Sequence, residues 1–205
     1  MTIDLLTTSN IKIQPTMSLM DAIAKRRSVR TYSDQLVSKE VINVLLSIAV
    51  RAPTAVHEEP WIFVVIQDSN VLNRLSDDAK KWMNEVEQSM HVPDRKMSPN
   101  FVMPENVFYN APLVIVICAK PAMGSFVVAD CWLAAENLML AACAMGLGTC
   151  VSGLAVAPLN THEWKRELGI PEDVDVVAPI IVGVPSADTK ETSRKPPVIL
   201  VNKNH

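Results

Sequence analysis

One short segment of the chain is rich in groups that can bind an anion. The stretch "AKRRSVRTY" places Lys25, Arg26, Arg27 and Arg30 within six residues, although the chain as a whole has a formal net charge of −3. Guanidinium groups bind phosphate through paired N–H donors, and Ser28 adds a hydroxyl to this set. The segment therefore predicts a local phosphate site. The same charges also suit a solvated helix end, where cations complement the helix dipole, and the residues alone leave both interpretations open.

Sequence motifs for other common chemistries are absent. The chain has no GxGxxG, Walker, HExxH or GxSxG pattern and no CxxC pair. Cysteines stand at 118, 131, 143 and 150 inside apolar runs, and histidines are scattered at 57, 91, 162 and 205. We therefore expect no metal site and reduced thiols of the kind found in cytoplasmic proteins. An isolated basic cluster in an acidic chain also argues against nucleic-acid binding.

The elements that must position the basic segment follow from hydrophobic periodicity. Helices are predicted after Ser18 and after Ser38, over 71–90 and 126–145, and after Thr161. Continuous apolar runs predict buried strands over 61–67, 112–120 and 175–185, whereas 146–160 is predicted to be a glycine-containing loop. Three or four strands against five helices indicate an α+β or three-layer α/β fold in a single domain over 1–205.

The remaining segments suggest an arm, a lid and a tail. Residues 1–16 resemble an extended N-terminal arm and lack the basic start and apolar core of a signal peptide. The irregular stretch 91–110 contains three prolines and is a candidate lid, and 186–205 is a polar C-terminal extension. The most apolar stretch is interrupted by Glu136 and Asn137, so we expect a buried helix, a cytoplasmic protein and no membrane partner.

Two loops could approach a flat ligand. In "RAPTAVHEEPW", Pro53 and Pro60 stiffen a turn whose small residues Thr54 and Ala55 expose the backbone, although the stretch could equally be a tight helix-to-strand connection. After the helix stop at Gly146–Gly148, the loop Val151–Leu154 could offer backbone donors to a ring.

Taken together, these segments resemble the nitroreductase family of flavin enzymes. The resemblance rests on the order and spacing of "RRSVR", "APTAxxxxPW", "AAENLMLAACAMGLGTC", "LGIPEDV…APIIVGVP" and "SRKP", and it covers residues 18–198. It implies an α+β fold with a three-layer α/β/α sandwich and a mostly antiparallel central sheet. It also implies an intertwined homodimer with FMN at the interface between the subunits.

The resemblance also implies which residues contact the cofactor. Arg26, Arg27, Ser28 and Arg30 match the segment that holds the FMN phosphate and ribityl chain, and Arg194 matches a late basic residue at the phosphate. Pro53, Thr54 and Ala55 match a loop that reaches the flavin from the partner subunit, and Val151, Ser152, Gly153 and Leu154 match the loop beside the ring and its N5.

The chain departs from the family pattern before "PW". The family usually has Asn and Gln there, where this chain has His57 and Glu59. Because histidine changes charge near neutral pH, His57 could tune the flavin or bind an acidic substrate. Alternatively, the two residues simply support the turn.

The implied function is electron transfer through FMN. A family member takes a hydride from NADH or NADPH at N5 and reduces a nitro compound, quinone or similar acceptor at the same place, with ping-pong kinetics. No protein side chain is predicted to be catalytic, because the flavin carries the chemistry. The alternatives are a specialised member (a dehalogenase, ring dehydrogenase or flavin-consuming enzyme) and a non-catalytic flavin binder.

Overall fold

The computed structural model describes residues 17–89, 102–122, 124–189 and 192–203. Its helices are α1 (Leu19–Lys25), α2 (Lys39–Ala49), α3 (Ser69–Ser89), α4 (Val127–Ala144), α5 (Val156–Leu159) and α6 (His162–Leu168). Its strands are β1 (Trp61–Ile66), β2 (Leu113–Ala119), β3 (Gly148–Val151) and β4 (Asp175–Gly183). The predicted N-terminal arm, 1–16, lies outside the described residues.

The strands form one sheet in the order β1-β2-β4-β3, and each neighbouring pair is antiparallel. Side chains of β2 alternate between two cores. Leu113, Ile115 and Ile117 pack with α2 and α4, whereas Val114 and Val116 pack with residues of α3, α5 and α6. The sheet is therefore covered on both faces. This explains why its central strands are continuously apolar although the sheet is antiparallel, and it confirms the predicted α/β/α sandwich.

The prediction of a loop over 146–160 is wrong in part. Residues 148–151 form β3, which pairs with β4 through Thr149↔Val182 and Cys150↔Ile181. Two short helical segments follow, a 3-10 turn over Gly153–Ala155 and the single-turn helix α5. The four letters "GTCV" are too short for periodicity to identify a strand. The strand exists because β4 offers it a partner.

Side-chain caps fix the starts of three helices as the sequence predicts. The hydroxyl oxygens of Ser18, Ser38 and Thr161 accept the backbone N–H groups of Asp21, Val41 and Trp164, respectively. Such caps satisfy donors that have no partner within the helix. Helix α1 is thereby held in place just before the basic segment.

Helix α4 is the central helix of the domain. By length and composition alone it could cross a membrane, contrary to the expectation based on Glu136 and Asn137, but 44% of its residues are buried inside this fold. Its other face exposes Val128, Trp132 and Leu133. A helix with one face in the core and an exposed apolar face typically contacts a further surface.

Part of the predicted lid belongs to the core. Val107 and Phe108 are each 1% exposed, and the Ser76 hydroxyl accepts the Val107 N–H at 3.0 Å. Lys80 donates to the Glu105 carbonyl at 2.8 Å. The end of the stretch is therefore anchored on α3. Residues 90–101 lie outside the described residues, so the lid itself stays a prediction.

Candidate functional site

The structure brings three of the sequence-predicted arginines to one cavity. Arg26, Arg27 and Arg194 line a space of about 690 Å³, together with Ile23, Ala24, Thr192 and Ser193. The first two arginines follow helix α1, and the third comes from the C-terminal extension. Three guanidinium groups and two hydroxyls around one space form a donor set suited to a phosphate.

Arg26 and Arg27 are held differently. The Nε of Arg26 donates to Glu136 Oε1 of α4 at 3.1 Å. Arg27 donates through Nη1 to the carbonyls of Ala24 and Arg26, at 2.5 and 2.8 Å. Those carbonyls lie at the end of α1, where helix carbonyls lack internal partners. Arg27 thus also fits the helix-end interpretation of the basic segment.

A second cavity lies beside the first, at the start of strand β3. It measures about 310 Å³ and shares Arg26 and Arg27 with the first cavity. Gly148 and Thr149 also line it, so it reaches the start of β3. The strand has four residues and is about 10 Å long at the usual rise per residue. Strand β3 itself gives the path from the second cavity to the loop after Val151, and in the described part of the chain that loop lines neither cavity.

Backbone pairing fixes the basic segment beside this path. Ser28 forms a parallel bridge with Thr149, and the Val29 N–H donates to the Thr149 carbonyl at 2.9 Å. Arg30, which follows Val29, lies over the Tyr109 ring, with its guanidinium carbon 5.8 Å from the ring centre. Arg30 is not among the residues that line the cavity of Arg26, Arg27 and Arg194 in the described part of the chain. Its assignment to the phosphate stays a prediction.

The two thiols near the basic segment, Cys143 and Cys150, are not activated as nucleophiles. Burial raises the pKa of Cys143, and the opposing effect of Arg26 and Arg27 is smaller. Burial also raises the pKa of Cys150, against the charge of Arg30 and a hydrogen bond from Ser28. A raised pKa keeps a thiol protonated and unreactive. Among the described residues, no group of His, Cys, Asp or Glu could hold a metal ion.

The loop 151–154 begins at the last residue of β3, and its one polar side chain, that of Ser152, is buried. Ser152 is buried, and its hydroxyl donates to the Val107 carbonyl at 2.9 Å while its N–H donates to Pro179 O. Gly153 is exposed, and a Cβ built on it would meet no atom within 4 Å. Leu154 is half-buried in the core between β4 and α3. A ring could therefore approach the chain at Gly153.

The loop 53–59 lies between α2 and β1. Pro53 is exposed, Thr54 and Ala55 are half-buried, and Ala55–His57 form a 3-10 turn. The Ala55 N–H donates to Oδ2 of Asp130 on α4 at 3.2 Å. His57 is exposed with a φ of 58°, and Glu59 has a φ of 43°. The two residues that depart from the family pattern thus lie on a turn with left-handed backbone.

Comparison with known proteins gives the family. The model of the nitroreductase family matches residues 23–184. The chain belongs to the nitroreductase family. A protein of Archaeoglobus fulgidus named "Putative NADH dehydrogenase/NAD(P)H nitroreductase" is 32% identical over 167 residues, which cover 80% of this chain and 83% of that protein.

Solved nitroreductase-fold structures match the same architecture. A nitroreductase of Bacteroides fragilis with bound FMN has a TM-score of 0.75 at 23% identity, covering 92% of this chain and all of that one. An iodotyrosine deiodinase bound to FMN and 3-iodo-L-tyrosine has a TM-score of 0.74 at 20% identity, covering 91% of this chain and 100% of that one. The nitroreductase fold is therefore established for this chain. It is shared with proteins of more than one activity.

The predicted contact residues of this nitroreductase-family chain form separate groups within the described chain. Among the described residues, the lining of the arginine cavity includes neither the Pro53–Ala55 loop nor the Val151–Leu154 loop. The latter lies at the far end of β3, on the path from the arginines. The Pro53–Ala55 loop instead contacts the first turn of α4.

Two residues that position these groups were not predicted to do so from the sequence. Glu136 binds Arg26, and Asp130 binds the Ala55 amide. In the sequence they are only charges on an otherwise apolar helix. That pattern was itself a signal, because a carboxylate on a core helix needs a partner.

Proposed function

We propose that the protein is an FMN-dependent oxidoreductase that passes electrons from NADH or NADPH to a nitro compound, a quinone or a similar acceptor. The observation that carries the proposal is the arginine cavity of Arg26, Arg27 and Arg194, beside the start of β3, together with the path along that strand to the exposed Gly153. An elongated ligand with a phosphate at one end and a flat ring at the other fits this path. The FMN bound by the nitroreductase and deiodinase relatives supports the choice of ligand.

The residues present would hold FMN as follows. Arg26, Arg27 and Arg194 bind the phosphate dianion through charge-assisted hydrogen bonds. Ser28, which is bridged to Thr149 of β3, would offer its hydroxyl to the ribityl chain. Gly153 leaves room for the ring, because a side chain there would otherwise stand between the ring and the backbone. When bound, the flavin supplies hydride acceptance at N5 and electron delivery to the second substrate.

We also propose that the functional unit is a homodimer. Helix α1 exposes Leu19, Met20 and Ile23, and the adjacent α4 exposes Trp132 and Leu133. These five exposed apolar side chains, on two helices that contact each other, are the candidate interface, since exposed apolar surfaces mark interaction sites. A second copy seated there would also explain how the loop 53–59, remote from the arginine cavity of its own protomer, reaches a flavin.

Purified protein tests the cofactor assignment directly. Reconstitution with FMN should give a yellow protein whose absorbance is bleached anaerobically by NADH or NADPH and recovers when acceptor is added. Initial rates at varied donor and acceptor should show parallel double-reciprocal lines, because both substrates use one site in turn. Flavin that binds but is reduced by neither nicotinamide would overturn the oxidoreductase assignment and favour a flavin binder.

The phosphate assignment has its own variant. Each charge-assisted contact contributes about 1.5–3 kcal/mol, so each arginine lost should weaken FMN binding about 10- to 150-fold. Arg26→Ala/Arg194→Ala should therefore lose FMN on gel filtration. Lys81→Ala/Arg166→Ala removes two exposed charges elsewhere and should retain it. Equal flavin content in both double variants would refute the phosphate site.

A second candidate activity is reductive removal of halide. The favouring observation is that deiodinases are among the relatives, including a mouse iodotyrosine deiodinase 26% identical over 183 residues. The alternative is tested with the same reduced protein by adding 3-iodo-L-tyrosine and measuring iodide. Iodide release faster than nitro or quinone reduction would move the assignment to this candidate.

A further inference from the structure

The loop 53–59 has an unusual backbone. Val56, His57 and Glu59 have φ values of 47°, 58° and 43°, although none of them is glycine. For a β-branched residue such as valine, a positive φ is a genuine outlier, because Cβ crowds the following carbonyl. Strained conformations of this kind persist only where the surroundings hold them. The loop must therefore be anchored.

Asp130 provides an anchor from the core helix. Its carboxylate oxygen Oδ2 accepts the Ala55 N–H at 3.2 Å, and the residue is only 4% exposed. Its neighbours on α4, Cys131 and Ala134, are completely buried, so the helix cannot shift easily beneath the loop. A buried carboxylate is costly unless it is hydrogen-bonded, which makes this contact more than incidental.

The contact lies one residue before the strained turn. Ala55 opens the 3-10 turn, and its amide is the point where the loop is tied to α4; the left-handed residues Val56 and His57 follow at once. Val56 is 80% exposed, so its conformation is not enforced by packing of its own side chain within the protomer. Holding the Ala55 amide therefore restricts the direction in which the next two residues leave the core.

We propose that Asp130 is a positioning residue: its buried carboxylate fixes the Ala55 amide and so holds Val56 and His57 in the left-handed conformation that they present at the dimer interface. The inference rests on the proposed function, since the loop matters for electron transfer only if it reaches the partner's flavin. Asp130 touches neither cofactor nor substrate in this scheme. It acts through the loop.

A purely structural role for Asp130 makes a different prediction. An aspartate in the first turn of a helix is stabilised by the helix dipole, and its loss would lower stability without altering the loop. Glu163 provides the matched control, because it stands in the first turn of α6 and is exposed. Glu163→Ala removes the same kind of charge where no such loop is held.

The first readout is hydrogen exchange on the apoprotein, which needs no flavin and no turnover. In Asp130→Ala the peptide that contains Ala55 should exchange at least tenfold faster than in the wild type, while peptides of β2 and β4 keep their protection. In Glu163→Ala the Ala55 peptide should be unchanged. Exchange at Ala55 that stays at the wild-type rate in Asp130→Ala would overturn the proposal.

The second readout is rescue through the backbone. Asparagine tolerates the left-handed conformation far better than valine, so Val56→Asn should restore the turn without its anchor. In flavin-loaded protein we expect Asp130→Ala to lower kcat/KM about tenfold per bound flavin and to shift the flavin midpoint potential. Val56→Asn should raise kcat/KM at least threefold more in the Asp130→Ala background than in the wild type. Additive effects of the two changes would contradict the proposal.

Two precautions keep the outcomes distinct. If Asp130→Ala does not fold, the same exchange and rescue measurements are made on Asp130→Asn, which keeps an oxygen acceptor but loses the charge and should show a smaller change in the same direction. If the wild type binds no flavin, the proposed function fails, whereas the exchange result still decides whether Asp130 holds the loop. If the wild type is active and Asp130→Ala matches it, only the present inference fails.

Discussion

Replacing Gly148 with alanine should displace Val29 of the basic segment. Gly148 begins β3, and a Cβ built on it would lie 2.7 Å from Val29 Cβ and 2.8 Å from each of the two methyl carbons. Carbon atoms pack favourably at roughly 3.5–4.0 Å, so Val29 would have to retreat by about 1 Å. Val29 is only 7% exposed and is tied to the Thr149 carbonyl at 2.9 Å, which leaves it little room.

The expected cost follows from this geometry. Overpacking of this kind typically destabilises a protein by about 1–3 kcal/mol. For a chain of this length, each kcal/mol lowers Tm by about 2–4 °C, so Gly148→Ala should lower the apoprotein Tm by about 2–12 °C. Because Val29 adjoins Arg27 and Ser28, the same displacement should also weaken FMN binding.

Calorimetry of the apoprotein and FMN titration measure the two effects separately. Gly153→Ala is the stability control, because a Cβ there meets nothing within 4 Å, and its Tm should stay within about 2 °C of the wild type. An unchanged Tm for Gly148→Ala would mean that Val29 does not pack against β3. A lowered Tm with unchanged FMN affinity would mean that displacing Val29 beside β3 does not affect FMN binding, and it would refute the proposed path of the ligand along β3.

Three further predictions concern other parts of the chain. Ser152→Ala should lower the free energy of unfolding in urea by about 1–2 kcal/mol, because it removes the buried donor to the Val107 carbonyl. Ser125 is exposed, so Ser125→Ala should leave the free energy of unfolding unchanged. Equal urea midpoints for the two variants would contradict a stabilising role of the Ser152 hydrogen bond. Burial raises the pKa of Cys118 to about 12, so at pH 8 only about 10⁻⁴ of this thiol is ionised. Cys143 is less buried, and mass spectrometry should therefore find Cys143 alkylated before Cys118. Truncation after Pro197 removes the four exposed apolar residues Val198–Val201 and should weaken the proposed dimer in sedimentation; unchanged association would exclude these residues from the proposed interface.

The strands show how far sequence patterns reach. The predicted runs for β1, β2 and β4 agree with the structure within two residues at each end, because these runs are almost wholly apolar and the central strands β2 and β4 are buried on both faces. β3 escaped prediction because it is short, begins at Gly148 and depends on β4 and on the bridge from Ser28. That dependence is tertiary, and no local pattern records it.

The candidate site was likewise predictable only in part from the sequence. Arg26 and Arg194 are far apart in the sequence, and only the family resemblance indicated that they would meet; the structure places both in one cavity. Arg30 was grouped with them because it is near in sequence. Ser28, two residues before Arg30, is paired with β3, and Arg30 lies over the Tyr109 ring, so its assignment to the phosphate stays a prediction.

The contact between Arg26 and Glu136 orients one arginine of the basic segment. The pair is 3.1 Å apart, with 26% and 43% of the side chains exposed, and ion pairs this accessible to water add little stability. Its effect is better understood as orientation: the carboxylate engages Nε, whereas a guanidinium has four further N–H donors on its terminal nitrogens. Arg27, by contrast, donates to the carbonyls at the end of α1. The helix-end and phosphate interpretations of the segment are thus compatible, since Arg27 donates to the carbonyls at the helix end and also lines the cavity, together with Arg194 and with Arg26, which Glu136 orients.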